Sequence, residues 1–149
     1  MAITVFDVDA YLRQTLEAKF GTLGLVARIK LVYSVHRLAI ARTGNPAFDS
    51  RCEAWPMGPV FPELYANPQN KSGNASAIKG VVRGYCDQVA RHLGATSGRS
   101  LAARSHIRFP EWFIAKRNRV NKQISVQMIR EQLALIGGAS PKENACTEK

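Results

Sequence analysis

Lys30-Leu31-Val32-Tyr33, running on to Arg42, then Gly44-Asn45-Pro46, then Glu53-Ala54-Trp55-Pro56-Met57-Gly58-Pro59-Val60, is the stretch that decides the fold. From about Leu23 to Arg42 the chain predicts one helix. Leu25, Ile29, Val32, Val35 and Ala39 recur at three- and four-residue spacing, and Leu31, Leu38 and Ile40 carry the apolar surface round the sides. A helix apolar on nearly every side belongs at the centre of a core. Gly44-Asn45-Pro46 stops it, because proline fixes φ and has no N–H to donate. Ala47 to Trp55 has no 3.6-residue period and predicts a short two-stranded hairpin. Pro56, Pro59 and Pro62 oppose regular structure across Trp55 to Val60, which is expected to be a rigid shaped loop. Phe61 or Pro62 then opens a brief helix through Glu63-Leu64-Tyr65.

This order of residues resembles the Panacea domain of bacterial and prophage antitoxins, the SocA-like and GepA-like proteins. The resemblance is carried by Lys30, Leu31, Tyr33, Ala39, Gly44, Pro46, Phe48, Asp49, Glu53, Ala54, Trp55, Gly58, Pro59, Val60 and Tyr65. A second, weaker group is Leu101, Ser105, His106, Pro110 and Trp112. The resemblance as a whole is expected to cover roughly residues 7 to 136, a length suited to one domain. Met57 departs from the family's usual aromatic or large residue, and Arg51-Cys52 from a more apolar pair. The resemblance implies a binding protein and not an enzyme: an antitoxin that neutralises a cognate protein toxin, encoded next door, by direct contact. SocA-like members present the toxin to a protease, so a cytoplasmic protease is a further implied partner.

The flanking sequence predicts a mainly α, compact single domain around the buried central helix. Near the start, Asp7 is positioned to cap a helix, with Phe6 stapled on Tyr11 and Val8, Tyr11, Leu12 and Leu16 forming its stripe, ending at Gly21. Asn67 to Ala75 is small and polar and reads as an exposed loop. Ser76 to Leu93 predicts a helix with Ile78, Val81, Val82, Tyr85, Val89 and Leu93 inward and Gly94 as its end. A shorter helix follows through Leu101 to His106, and Pro110 seats another holding Trp112 and Phe113. Ser125 caps the last helix, with Ile124 and Ile129 as staple, Leu133 and Ile136 on the same face, and Gly137-Gly138 as its end. The domain is thus expected over residues 1–138, followed by a disordered tail over 139–149 with little to bury.

Of 149 residues, 46% are hydrophobic, enough to bury about two thirds of the unfolded surface without metals or disulfides. Cys52, Cys86 and Cys146 are odd in number and widely spaced, with no Cys-x-x-Cys pair, which argues against a disulfide framework or zinc knuckle and for a cytoplasmic protein. Met1 to Asp9 lacks the basic start of a signal peptide. Leu23 to Ile40 contains Arg28, Lys30, His36 and Arg37, each costly at the centre of a bilayer, so no membrane partner is expected. No cofactor is implied, since Gly21, Gly24 and Gly44 lack the Lys-Ser/Thr of a phosphate loop and no histidine has a metal-motif neighbour.

The net charge of +10 is concentrated late: residues 99 to 131 carry eight Lys/Arg against two Asp/Glu. Such a segment suits nucleic acid phosphates or an acidic protein surface, and equally a solvated face. Arg104, Arg108, Lys116, Arg117, Arg119 and Lys122, interleaved with Phe109, Trp112 and Phe113, support the alternative function, a phage-derived nucleic-acid-binding accessory or regulatory protein. A catalytic trio of Cys52, His106 and Asp49 can be drawn, but nothing specifies its geometry. The candidate partner contacts are Trp55, Met57, Gly58, Pro59, Phe61 and Tyr65, on or just after the proline-rich loop. Among these Met57, Phe61 and Tyr65 are expected to be exposed, whereas Trp55, although it could anchor a partner, is expected to seal the core beneath the loop.

Overall fold

The long apolar helix is the axis of the molecule. A computed structural model describes residues 2–118 and 122–137. In it Leu25–Thr43 (α2) follows Val5–Phe20 (α1) and precedes a hairpin of Glu53–Trp55 (β1) and Gly58–Val60 (β2). Then come Pro62–Ala66 (α3), Gly80–Leu93 (α4), Gly98–Arg108 (α5), Pro110–Arg117 (α6) and Val126–Gly137 (α7). α1, α4, α5 and α7 all pack on α2. Leu31, Val32, Tyr33, Val35 and Ile40 are each essentially inaccessible, and burying side chains of this size contributes about 1.5–3 kcal/mol apiece. Gly44 ends α2 at φ +80°, with its N–H on the Ile40 carbonyl at 2.8 Å.

Polar groups on so buried a helix need partners, and α2 finds them on the chain around it. Arg28 makes two hydrogen bonds to the buried Asp9 of α1, at 3.0 and 2.7 Å, and a third to the Pro68 carbonyl at 2.8 Å. That third bond fastens the polar loop after α3. Asp7 holds the other end of the loop by accepting from the Asn74 N–H at 2.8 Å.

Four local expectations need correction. Asp7 is not the cap of α1: Thr4 is, with Asp7 three residues on returning the bond to the Thr4 N–H, so the helix starts earlier. The two strands do not lie within Ala47 to Trp55; they are Glu53–Trp55 and Gly58–Val60, so β2 runs through the presumed loop. The register explains how proline is tolerated. Pro59 faces Ala54, whose own N–H turns away to the Lys122 carbonyl at 2.8 Å, so at this pair no ladder bond needs a Pro59 donor.

α4 begins at Gly80 and not at Ser76, because Asn74 caps a separate 3-10 turn, Ala75–Ala77, by accepting from Ser76 N–H. Val81 consequently faces solvent, 65% exposed, while Cys86 and Val89 turn inward. On α7, Ser125 caps as expected and Ile124, Ile129 and Leu133 are buried, but Ile136 is 64% exposed in the helix's last turn. Residues 138–149, including the expected tail, lie outside the described residues. No helix among the described residues is long and apolar enough to cross a membrane.

Candidate functional site

The four-residue turn Trp55-Pro56-Met57-Gly58 joins β1 to β2 and is clamped from three sides. Trp112 on α6 donates its indole N–H to the Trp55 carbonyl at 2.7 Å. His106 Nε2 on α5 lies 2.9 Å from the Pro56 carbonyl, which can only accept, so the ring donates from Nε2. The two donors brace one another, His106 stacking on Trp112 with centroids 4.2 Å apart and planes 20° apart. From below, the Lys30 ammonium donates to the Pro59 carbonyl at 2.7 Å. Desolvation lowers that ammonium to a pKa of about 8.

Gly58 sits at φ +111°, and a Cβ there would lie 2.2 Å from Ser105 Oγ and 3.2 Å from Lys30 Nζ. Only glycine fits both the dihedral and the space. On the outer edge, β1 is covered by a strap in which Gln123 bridges Glu53 and Ile124 N–H donates to the Cys52 carbonyl at 2.8 Å.

The sequence-predicted contact residues divide sharply. Met57 at the tip and Tyr65 on α3 are 43% and 45% exposed. Trp55 is half-buried, edge-on to Tyr65 with centroids 4.9 Å apart, and its indole N–H donates to Glu53 at 3.0 Å. That bond, with one from Arg51, holds the Glu53 carboxyl below its usual range. Gly58 and Pro59 are buried and shape the turn without presenting side chains. The expectation of exposure is wrong for Phe61. It is wholly inaccessible, because the residue before α3 turns into the core against Tyr33, His36 and Phe48.

Beneath the turn lies a network that sequence reasoning missed. Glu111, in the first turn of α6 and fully buried, accepts from Tyr33 Oη at 2.6 Å and from Arg37 Nε at 2.7 Å. Burial and the neighbouring carboxylate hold the Tyr33 phenol protonated, well above its ordinary range. Lys30, Tyr33 and Arg37 recur at three and four residues on an otherwise apolar helix, a pattern that demands buried acceptors and was the available signal.

The cationic candidates do not share one element. Arg104 and Arg108 are exposed one turn apart on α5; Lys116 and Arg117 are on α6, with Arg117 over the Phe113 ring at 5.1 Å; Lys122 belongs to the strap; Arg119 lies outside the described residues. As for the trio of Cys52, His106 and Asp49, Cys52 is buried and desolvation pushes its thiol far above the usual range, the reverse of nucleophile activation. His106 is engaged at Pro56.

Residues 29–88 match the family model described as antitoxin SocA-like, Panacea domain. The match covers less than half of the chain. It contains most of α2, the hairpin, α3 and most of α4, and so includes Lys30, Trp55, Met57 and Tyr65. No curated protein and no solved structure matches the chain. Ser105, His106 and Trp112, from the weaker group of resembling residues, fall outside the matched stretch but meet it in space, since they are the residues that hold its turn.

Proposed function

We propose that this chain neutralises a cognate protein toxin by direct contact, using the Trp55–Gly58 turn and the neighbouring Tyr65 as the central surface. The observation that carries the reading is the Panacea match over the segment that forms this turn. The geometry supports it physically. A turn held at Trp55, Pro56 and Pro59 by donors from α6, α5 and α2 has little conformational freedom left to lose, so ordering it on association costs little. Met57 and Tyr65 supply exposed apolar anchors beside the half-buried Trp55, and large anchors of this kind dominate interface energetics. Arg104, Arg108, Lys116 and Arg117 give the adjoining helices a positive cast, which fits a toxin face carrying acidic residues around an apolar centre. The toxin is either masked in the complex or handed to a cytoplasmic protease; rescue that persists in a protease-deficient strain selects masking.

The test is growth of bacteria expressing each neighbouring reading frame, alone and with this chain. A neighbour that arrests growth alone, is harmless with this protein and co-purifies with it is the expected result. The double substitution Met57→Asp with Tyr65→Asp abolishes rescue while far-ultraviolet circular dichroism is unchanged; retained rescue excludes this surface. If no neighbour is toxic and the purified protein holds nucleic acid up a salt gradient, the basic helices carry the function instead.

A further inference from the structure

We propose that the cleft between α2, α4, α5 and α7 binds a small organic anion, a carboxylate or phosphate monoester head on an apolar body. This goes beyond the toxin-binding reading and concerns a different part of the molecule. The cleft encloses about 350 Å³, within the range of small-molecule sites. Its apolar wall comes from Leu38 of α2, Val89 and Leu93 of α4, Leu101 of α5 and Leu133 of α7. Its polar wall is cationic: Lys30, Arg37, Arg104 and Arg108 all line it, and no described lining residue is an acid.

These cations differ in what already satisfies them. Arg37 is paired with the buried Glu111 and lies over the Phe109 ring. The Lys30 ammonium donates to the Pro59 carbonyl, which does not line the cleft, so what it lends the cleft is its stem and a nearby positive charge. Arg104 and Arg108 have no side-chain hydrogen bond or ion pair among the described residues, although they project one turn apart from the same helix into the cleft's lining. A pair of guanidinium forks one turn apart at the cleft matches the two or three oxygens of a carboxylate or phosphate, since arginine meets such groups with parallel N–H donors. The apolar wall opposite favours an attached hydrocarbon or aromatic body over inorganic phosphate or a sugar phosphate.

The full-length protein is titrated with octanoate, octyl phosphate and octanol, each below its micellar concentration, and binding is read by calorimetry and by the shift in melting temperature. Saturable binding of at least one anion, at least about tenfold tighter than octanol, is expected. Tighter octanoate assigns a carboxylate ligand, and tighter octyl phosphate a phosphate monoester. Arg104→Glu with Arg108→Glu, at exposed positions, weakens the anion at least about tenfold and leaves octanol unchanged. Ser34→Phe, at a half-buried position on the cleft wall, blocks both ligands. No saturable anion binding, equal binding of octanol and the anions, or anion binding that survives Ser34→Phe each overturns the proposal.

Discussion

Titrating His36 should expose the fold's weakness to acid. His36 is 2% exposed, in the middle of α2, with Tyr33, Phe48 and Phe61 around its ring, and its Nδ1 has no hydrogen-bond partner among the described residues. A small cavity under the strap, edged by Asp49 and Arg51, touches it from the other side. Burial lowers its pKa from the usual 6.5 to about 4. Above pH 6.5 the ring is neutral in both folded and unfolded chains and the group contributes no pH dependence. Between 6.5 and about 4 the unfolded chain binds a proton that the folded chain does not, so stability falls as pH falls. Below about 4 both are charged and the loss is complete. At about 1.4 kcal/mol per pH unit, that interval removes about 3 kcal/mol. Small domains have about 5–15 kcal/mol in all. Urea denaturation followed by circular dichroism at pH 7, 6, 5 and 4 reads the effect. With a slope of about 1–3 kcal/mol/M, the midpoint drops by about 1–3 M. Carboxylates titrate in the same range, so the decisive quantity is the difference from His36→Leu, which removes the ring and its unpaired nitrogen. At pH 7 that variant should be as stable as the parent or slightly more so. Equal pH dependence in parent and variant would refute the reasoning, because it would mean that the folded chain accommodates the imidazolium.

Gly58→Ala combines a positive φ with a Cβ in the space of Ser105 Oγ, and should cost about 2–4 kcal/mol, measured as a lower melting temperature. Glu111→Ala strands Arg37 and Tyr33 and should cost about 3–5 kcal/mol; a cycle with Arg37→Met should show strong coupling, and additivity would mean that the pair is not a unit. Lys30 gives an alkaline signature: its folded pKa near 8 lies below the usual 10.5, so stability rises with pH above 8. Cys52 and Cys86, both raised by burial from 9.0, reverse the trend as the unfolded thiols ionise. Stability measured across pH 7.5–10 should therefore peak near pH 9, and Lys30→Met should abolish the rise.

Much of the architecture was legible because it rests on local chemistry. The apolar periodicity of Leu25 to Ile40, the stop at Gly44-Asn45-Pro46, Pro62 and Pro110 opening helices, and the cap at Ser125 are each decided by neighbours within a turn or two. In two places where the expectation slipped, a distant partner had intervened. Asn74 and Asp7 separate the 3-10 turn from α4 and so rotate Val81 outward. The Lys122 carbonyl takes the Ala54 N–H and lets a strand run through Pro59.

The site shows the same division. Sequence alone determined a central helix bearing Lys30 and Tyr33, a glycine-and-proline turn after it, and a basic late segment, because these are properties of short windows. Only the tertiary structure decided that Phe61 points inward, that Met57 and Tyr65 point outward, and that Ser105, His106 and Trp112 hold a turn some fifty residues earlier. It also decided that Glu111 is the counter-charge for α2 and that Arg104 and Arg108 border a cleft. Each of these depends on which groups distant in sequence are brought within hydrogen-bonding or packing distance, and no local pattern encodes that distance.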